Sequence, residues 1–193
     1  MHILEIGAGL YPWFVRQDHF SVNSSESTPL KQEFAKIGEG NTYICVDHSY
    51  SQVQKGSLFV RNNCRDLVQG VFLYVQADAL RLPFTDESFD VVVLSDVFSL
   101  PEMDWHDAQY GLQRGCTRES KLTIIKEVKR VLRSGGRFIE CAYQGFSSLA
   151  WSDHELGSDE NLVITFVCMR NTIVIPHTTT QQLTAREIVY TKK

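Results

Sequence analysis

Short apolar runs alternate with longer stretches of mixed polarity along most of the chain, which is the pattern of strands separated by helices or loops. The run from Phe89 to Leu94 is almost continuously apolar, as expected for a parallel strand that is buried on both faces. The predicted strands are His2–Ile6, Thr42–Val46, Val71–Val75, Phe89–Leu94, Arg137–Tyr143, Leu162–Met169 and Glu187–Thr191.

Three helices are predicted between these strands. The segment Thr28–Ile37 carries proline at its second position and is followed by glycine, and Asn63–Val68 is a shorter candidate. Glu119–Leu132 has apolar residues at helical spacing, and Gly135 supplies a residue that can adopt a left-handed conformation beyond its end. This order of elements predicts an α/β fold with a doubly wound, mostly parallel seven-stranded sheet and a C-terminal antiparallel strand pair. Its ligand crevice would lie at the carboxyl ends of the strands.

Composition narrows the class of protein. The 193 residues fit one domain, 1–193, with 43% hydrophobic and 22% charged residues. The net charge of -4 gives no reason to expect nucleic acid as a partner. Most of the basic residues between positions 114 and 137 are expected to coat the solvent face of a helix, with a local patch that attracts an anionic substrate as the alternative. The five cysteines form no C-x-x-C pair, so neither a disulfide framework nor a metal site is expected. No run is long enough for a membrane helix and no signal peptide is recognised, so we expect a cytoplasmic location.

Glycines and acidic residues follow the predicted strands. Gly7 and Gly9 come directly after the first strand, where residues without a Cβ let the backbone approach a ligand. Asp47 ends the second strand, a position from which a carboxylate can accept two hydrogen bonds from a ribose diol. Pro12 stands where a dinucleotide-binding fingerprint has its third glycine, which disfavours hydride chemistry.

Five segments, in this order and spacing, resemble the motifs of class I S-adenosylmethionine-dependent methyltransferases. They read LEIGAG, VDHS, QADALRLPF, DESFDVVVLSDVF and EVKRVLRSGGRFIE. The third and fourth segments, with the last, are most similar to methyltransferases that act on small molecules. The resemblance covers residues 2–143 and leaves 144–193 as closing strands. It implies a Rossmann-like fold and S-adenosylmethionine as the cofactor.

The resemblance also implies roles for matching positions. Glu5 and the backbone of Gly7 and Gly9 would hold the methionine portion of the cofactor, Asp47 the ribose and Asp78 the adenine amino group. A flat imidazole at His48 could stack on the adenine, and Ser95 and Asp96 would lie near the sulfonium. Asp47 and Asp78 as strand-end caps, and Asp96 as a turn or helix cap, are the alternatives. The full predicted cofactor set is Glu5, Gly7, Ala8, Gly9, Asp47, His48, Asp78, Ala79 and Ser95.

Two aromatic segments are candidates for the substrate side. Because the first strand begins at residue 2, we expect the loop Leu10–Ser27 to cover the site in place of amino-terminal helices, or else to pack on the domain edge. The link after the fourth strand would face the substrate. His106 in that link is the candidate general base, with a packing role as the alternative, and Asp96 is the second catalytic candidate. The predicted substrate-binding residues are Trp13, Phe98, Trp105 and Tyr110.

The sequence therefore predicts a methyltransferase that acts on a small-molecule acceptor. A cofactor-binding scaffold or regulatory subunit without catalysis is the main alternative, and a nicotinamide or nucleotide-sugar binder is the second. The late strands could also favour pairing with another copy of the chain.

Overall fold

The computed structural model describes residues 1–10, 12, 38–95, 97, 118–144, 162–173 and 183–193. The strands are β1 (His2–Ile6), β2 (Thr42–Asp47), β3 (Val71–Gln76), β4 (Phe89–Ser95), β5 (Leu132–Gln144), β6 (Leu162–Ile173) and β7 (Leu183–Lys192). The helices are α1 (Tyr50–Asn63), a short 3-10 helix (Arg65–Leu67) and α2 (Arg118–Val131).

All seven strands form one sheet in the order β3-β2-β1-β4-β5-β7-β6. The strands β1 to β5 run parallel, and β7 lies antiparallel to both β5 and β6. This confirms the predicted mostly parallel sheet with a C-terminal antiparallel pair. The strand order reverses between β1 and β4, because the chain runs outward from β1 to β3 and then returns to β4 on the other side of β1. In such sheets ligands bind at the carboxyl ends of the strands at that point.

The sheet carries a hydrophobic cluster on each face because strand residues alternate between the faces. On the face covered by α2, Leu4 and Leu94 pack with Val128. On the face covered by α1, Ile3 and Val93 pack with Val60 of the helix. Glu5 points to this second face, since it alternates with Leu4 and is paired with Cys45 of β2.

Helix α1 was not predicted from the sequence, which placed a shorter helix at Asn63–Val68. The helix begins after Ser49, whose side chain accepts a hydrogen bond from the backbone of Gln52 at 3.4 Å. It buries only Gly56 and Val60, so its sequence carries little apolar periodicity. Of the predicted 63–68 segment, Asn63 is the last residue of α1 and Arg65–Leu67 form a 3-10 turn.

Helix α2 confirms the predicted helix to within one residue at each end. Gly135 has the expected positive φ of 74°, but it lies inside β5 and not directly at the helix end. The pairing of β4 with β5 is irregular in the same region. The predicted helix Thr28–Ile37 lies outside the described residues. Among the residues that are described, no helix is both long and apolar enough to cross a membrane.

Candidate functional site

Gly7 lies at the carboxyl edge of the sheet between the ends of β2 and β4. Its amide donates to the carbonyl of Val46 at 3.0 Å, and its φ is +78°. A Cβ at this position would lie 2.8 Å from the carbonyl oxygen of Ser95 and would also collide with Val97. Only glycine fits here without strain, because both the backbone conformation and the close approach to β4 exclude a side chain.

Gly9 and Asp47 are joined directly by a hydrogen bond. The Gly9 amide donates to Oδ2 of Asp47 at 3.0 Å, and the Ser49 amide donates to Oδ1 at 2.9 Å. A carboxylate offers about four acceptor positions, so these two bonds orient the group and leave acceptor capacity on both oxygens. The predicted glycine turn and the predicted ribose acid therefore form one unit.

His48 and Asp78 flank this unit on the β2 and β3 side. The His48 side chain is 65% exposed, and its Nδ1 lies 3.5 Å from Oδ1 of Asp47. The carbonyl of Asp47 accepts a hydrogen bond from the Ala77 amide at 3.1 Å, which brings the end of β3 beside that of β2. Asp47 thus ends β2, and Gly7 and Asp78 come within two residues of the ends of the neighbouring strands β1 and β3, as the sequence predicts.

Asp78 begins a tight turn that includes Ala79. Its Oδ1 accepts from the Leu80 amide at 2.9 Å, and its carbonyl accepts from the Arg81 amide at 3.0 Å. One carboxylate oxygen of Asp78 therefore has a local, turn-forming role just beyond the end of β3, where the sequence left a strand-end cap as the alternative. This role fixes the orientation of the carboxyl group at the edge of the crevice.

The loop after that turn is held by two charged residues of α2 that sequence reasoning missed. Arg130 donates to the carbonyls of Leu82 at 3.0 Å and Phe84 at 2.7 Å, while Glu127 accepts from the Leu82 amide at 2.8 Å. Arg130 also bonds Glu127 at 2.7 Å, and this hydrogen bond lowers the pKa of the Glu127 carboxyl. Arg130 was expected to be one of several solvent-facing cations. A signal was available, because E-V-K-R places the two side chains three residues apart on one helix face.

Glu5 is fully buried on the α1 face of the sheet. Tyr43 of β2 donates its hydroxyl to Oε2 of Glu5 at 2.7 Å. Burial, together with the charge of Glu5, raises the pKa of the Tyr43 phenol, so the phenol remains a donor. Tyr43 supports the carboxylate in the first predicted cofactor motif, and sequence reasoning did not identify it.

Ala8 and Ser95 complete the described part of the predicted cofactor set. Both are buried, with Ala8 in the turn after β1 and Ser95 at the last position of β4. The predicted catalytic residues Asp96 and His106 lie outside the described residues. So do the predicted substrate-binding residues, which are Trp13, Phe98, Trp105 and Tyr110.

The strand order, the glycine turn after β1 and the acid that ends β2 together define a Rossmann-like methyltransferase fold. The chain belongs to the methyltransferase-domain family, whose model matches residues 28–139, more than half of the 193 residues. This confirms the resemblance to class I S-adenosylmethionine-dependent methyltransferases.

Curated relatives are similar over part of the chain. The ubiquinone/menaquinone biosynthesis C-methyltransferase UbiE of Haemophilus ducreyi is 35% identical over 104 residues, which are 53% of this chain and 32% of that protein. The UbiE protein of Pectobacterium carotovorum is 31% identical over 111 residues, 57% of this chain and 36% of that protein. The match thus spans about a third of the length of these relatives.

Solved structures share the fold at lower identity. An S-adenosylmethionine-dependent methyltransferase from Methanosarcina mazei has a TM-score of 0.59 at 16% identity, covering 99% of this chain and 92% of that one. Magnesium protoporphyrin IX methyltransferase from Synechocystis, solved with bound S-adenosylmethionine, has a TM-score of 0.58 at 14% identity. The match covers 99% of this chain and 69% of that one.

Proposed function

We propose that this chain binds S-adenosylmethionine and transfers its methyl group to a small-molecule acceptor. The observation that carries the proposal is the unit formed by Gly7, Gly9 and Asp47 at the switch in strand order. The names of the related proteins support it, since the matched relatives are C-methyltransferases of quinone biosynthesis and a structural neighbour was solved with this cofactor.

The residues at the carboxyl edge fit an adenosyl ligand. Gly7 and Gly9 keep side chains away from the turn, so the backbone could contact the methionine portion of the cofactor. Asp47 retains acceptor capacity for the ribose hydroxyls beyond its two backbone bonds. In this proposal Asp78 and the Ala79 amide meet the adenine, and the exposed His48 ring stacks on it.

When bound, the cofactor supplies a methyl group that its sulfonium already activates. The protein then has to hold the acceptor atom in line with the methyl–sulfur bond, and alignment of this kind lowers barriers by several kcal/mol. In this proposal Asp96 acts near the sulfonium and its methyl group, and His106 or Asp96 is the base for an acceptor that must lose a proton. Trp13, Phe98, Trp105 and Tyr110 would line the acceptor pocket.

Two successive measurements test the activity, first cofactor binding and then methyl transfer. Calorimetric titration with S-adenosylhomocysteine should show one binding site, and incubation with cofactor carrying a labelled methyl group should label small molecules in an extract. Binding without labelling of any fraction would favour the alternative of a non-catalytic scaffold. A protein that purifies with a nicotinamide cofactor and does not bind S-adenosylhomocysteine would contradict the proposal.

Asp47→Asn tests the ribose role. The amide has a single acceptor oxygen and no charge, so it cannot serve Gly9, Ser49 and a ribose diol as the carboxylate does. We expect about 10-fold to 100-fold weaker binding of S-adenosylhomocysteine, the size of one lost hydrogen bond to a charged group. Asp66→Asn is the matched control, because Asp66 is exposed in the 3-10 helix that precedes the amino end of β3, whereas the proposed site lies at the carboxyl ends of the strands. Equal affinity of the two variants would refute the role of Asp47.

His106→Ala tests the base. Turnover should fall while affinity for S-adenosylhomocysteine stays unchanged, because the proposed base acts on the acceptor and not on the cofactor. Full turnover of His106→Ala would remove this residue from the mechanism.

The setting of the activity is part of the proposal. We infer a cytoplasmic, reducing compartment, which is consistent with three cysteines that are buried in the core, Cys45, Cys64 and Cys141. A small molecule is the proposed partner, with no role for nucleic acid. Self-association through the last strands stays a prediction that sedimentation would test.

A further inference from the structure

Tyr74 connects the edge strand β3 to the glycine turn after β1. It pairs with Cys45 of β2, which places its side chain on the face of the sheet that α1 covers. Its hydroxyl donates a hydrogen bond to the carbonyl of Gly9 at 3.3 Å, across 65 positions in the chain. No motif in the sequence marks this contact.

The Tyr74 ring is fixed between α1 and a neighbouring aromatic residue. A Cβ at Gly56 of α1 would lie 2.8 Å from Cε1 and 2.5 Å from Oη of Tyr74, so the ring lies directly against the helix backbone. On the sheet, Phe72 meets the ring edge to face with centroids 5.5 Å apart. The absence of a side chain at Gly56 therefore determines where the Tyr74 hydroxyl can lie.

Gly9 is consequently held on both of its peptide groups. The Gly9 amide donates a hydrogen bond to Asp47, which holds the peptide group before this residue. The Gly9 carbonyl accepts a hydrogen bond from Tyr74, which holds the peptide group after it. The residue between them has a φ of +57°, a region in which glycine has few steric constraints of its own. The two hydrogen bonds of Gly9 fix the conformation of the turn before a ligand binds. Such preorganisation favours binding because less conformational entropy is lost when the complex forms.

We propose that Tyr74 is a positioning residue that pre-orders the glycine turn for S-adenosylmethionine, with Gly56 as the residue that admits its ring. The proposal rests on the proposed function in one respect, namely that the turn binds this cofactor. Tyr74 acts through Gly9 and need not touch the cofactor.

Tyr74→Phe is the direct test, because it removes the hydroxyl and keeps the ring. Calorimetry should show about 3-fold to 10-fold weaker binding of S-adenosylhomocysteine, the range for one neutral hydrogen bond. In turnover assays KM for S-adenosylmethionine should rise by the same factor while kcat stays constant. Tyr50→Phe is the matched control, because the exposed Tyr50 hydroxyl bonds only Gln54 of its own helix among the described residues. Unchanged affinity in Tyr74→Phe would overturn the proposal.

Amide hydrogen exchange separates this proposal from the proposed function. In the ligand-free protein the Gly9 amide should exchange faster in Tyr74→Phe than in the wild type or in Tyr50→Phe. Equal exchange would overturn the positioning role whatever the protein binds. If the Gly9 amide exchanges faster in Tyr74→Phe than in the wild type, but the wild type fails to bind S-adenosylhomocysteine, the proposed function is refuted. The role of Tyr74 in ordering the turn would then still stand.

Gly56→Ala provides a second and independent perturbation. The added methyl group should displace the Tyr74 ring and weaken S-adenosylhomocysteine binding at least as much as Tyr74→Phe does. In a Tyr74→Ala background the same substitution should cause no further loss, because the ring that it displaces is gone. Losses that simply add in the double variant would contradict the proposed link between Gly56, Tyr74 and the turn.

Discussion

Replacing Gly7 by alanine should destabilise the fold in two ways, through backbone strain and through a steric clash. A non-glycine residue at the observed φ of +78° costs about 1–2 kcal/mol of backbone strain. The new Cβ would also stand 2.8 Å from the Ser95 carbonyl oxygen, which belongs to a buried strand and cannot move as a flexible side chain would. Overpacking of this kind costs about 1–3 kcal/mol more, so the total is about 2–5 kcal/mol.

Gly135→Ala supplies the matched comparison, since Gly135 has a φ of +74° and a Cβ there would meet nothing within 4 Å. It should cost only the strain, about 1–2 kcal/mol. Urea denaturation of both variants measures the difference, and titration with S-adenosylhomocysteine should show weakened binding for Gly7→Ala alone. If Gly7→Ala is no less stable than Gly135→Ala and binds as the wild type does, the inferred close approach of Gly7 to the end of β4 is wrong.

Three further predictions concern the contacts of α2. Arg130→Met removes the donors to the Leu82 and Phe84 carbonyls and should lower the free energy of unfolding by about 2–3 kcal/mol in urea melts. A loss below about 0.5 kcal/mol would show that Arg130 does not stabilise this loop. The folded-state pKa of Glu127 is lowered from the ordinary 4.5, so its contribution to stability is complete above that value and is lost as pH falls through the lowered pKa. Stability measured from pH 6 downwards should therefore fall less steeply in Glu127→Gln than in the wild type, and parallel curves would contradict this. The Lys192 ammonium donates hydrogen bonds to the carbonyls of Lys129 at 2.9 Å and Leu132 at 2.7 Å, at the carboxyl end of α2. Lys192→Met should lower the free energy of unfolding by about 1–2 kcal/mol, measured by thermal melting. An unchanged melting temperature would show that these two hydrogen bonds contribute nothing to stability.

The first four strands could be predicted to within one residue because each is a short apolar run with a distinct end, whereas β5, β6 and β7 extend beyond their predicted bounds. The apolar residues between Phe89 and Leu94 are buried on both faces, as expected for a central parallel strand. The residues that follow such strands share an edge of the sheet, and for this reason Gly9 and Asp47 could be assigned to one site from the sequence.

Helix α1 could not be predicted in the same way. It contacts the sheet largely through Gly56 and Val60, and a glycine inside a helix counts against the helix when only local preference is considered. Its stability derives from packing against β2 and β3, and the reason for glycine becomes visible only when the Tyr74 ring is found against it. Local patterns carry no information on such a contact between distant residues.

The supporting side chains of the site were missed for a related reason. Tyr43 reads as a core aromatic residue and Arg130 as one cation among many, because neither belongs to a strand-end motif. Their partners, Glu5 and the Leu82–Phe84 loop, lie 38 or more positions away in the chain. Only the register of the strands and the placement of α2 bring these groups together.

The central claim is that the turn after β1 and the acid that ends β2 together hold the cofactor. A crystal structure of the full chain with S-adenosylhomocysteine tests it most directly. We expect both ribose hydroxyls to lie within hydrogen-bonding distance of the Asp47 carboxylate, with the methionine portion against the backbone of Gly7 and Gly9. Ligand density elsewhere on the protein, or a ribose without contact to Asp47, would contradict it.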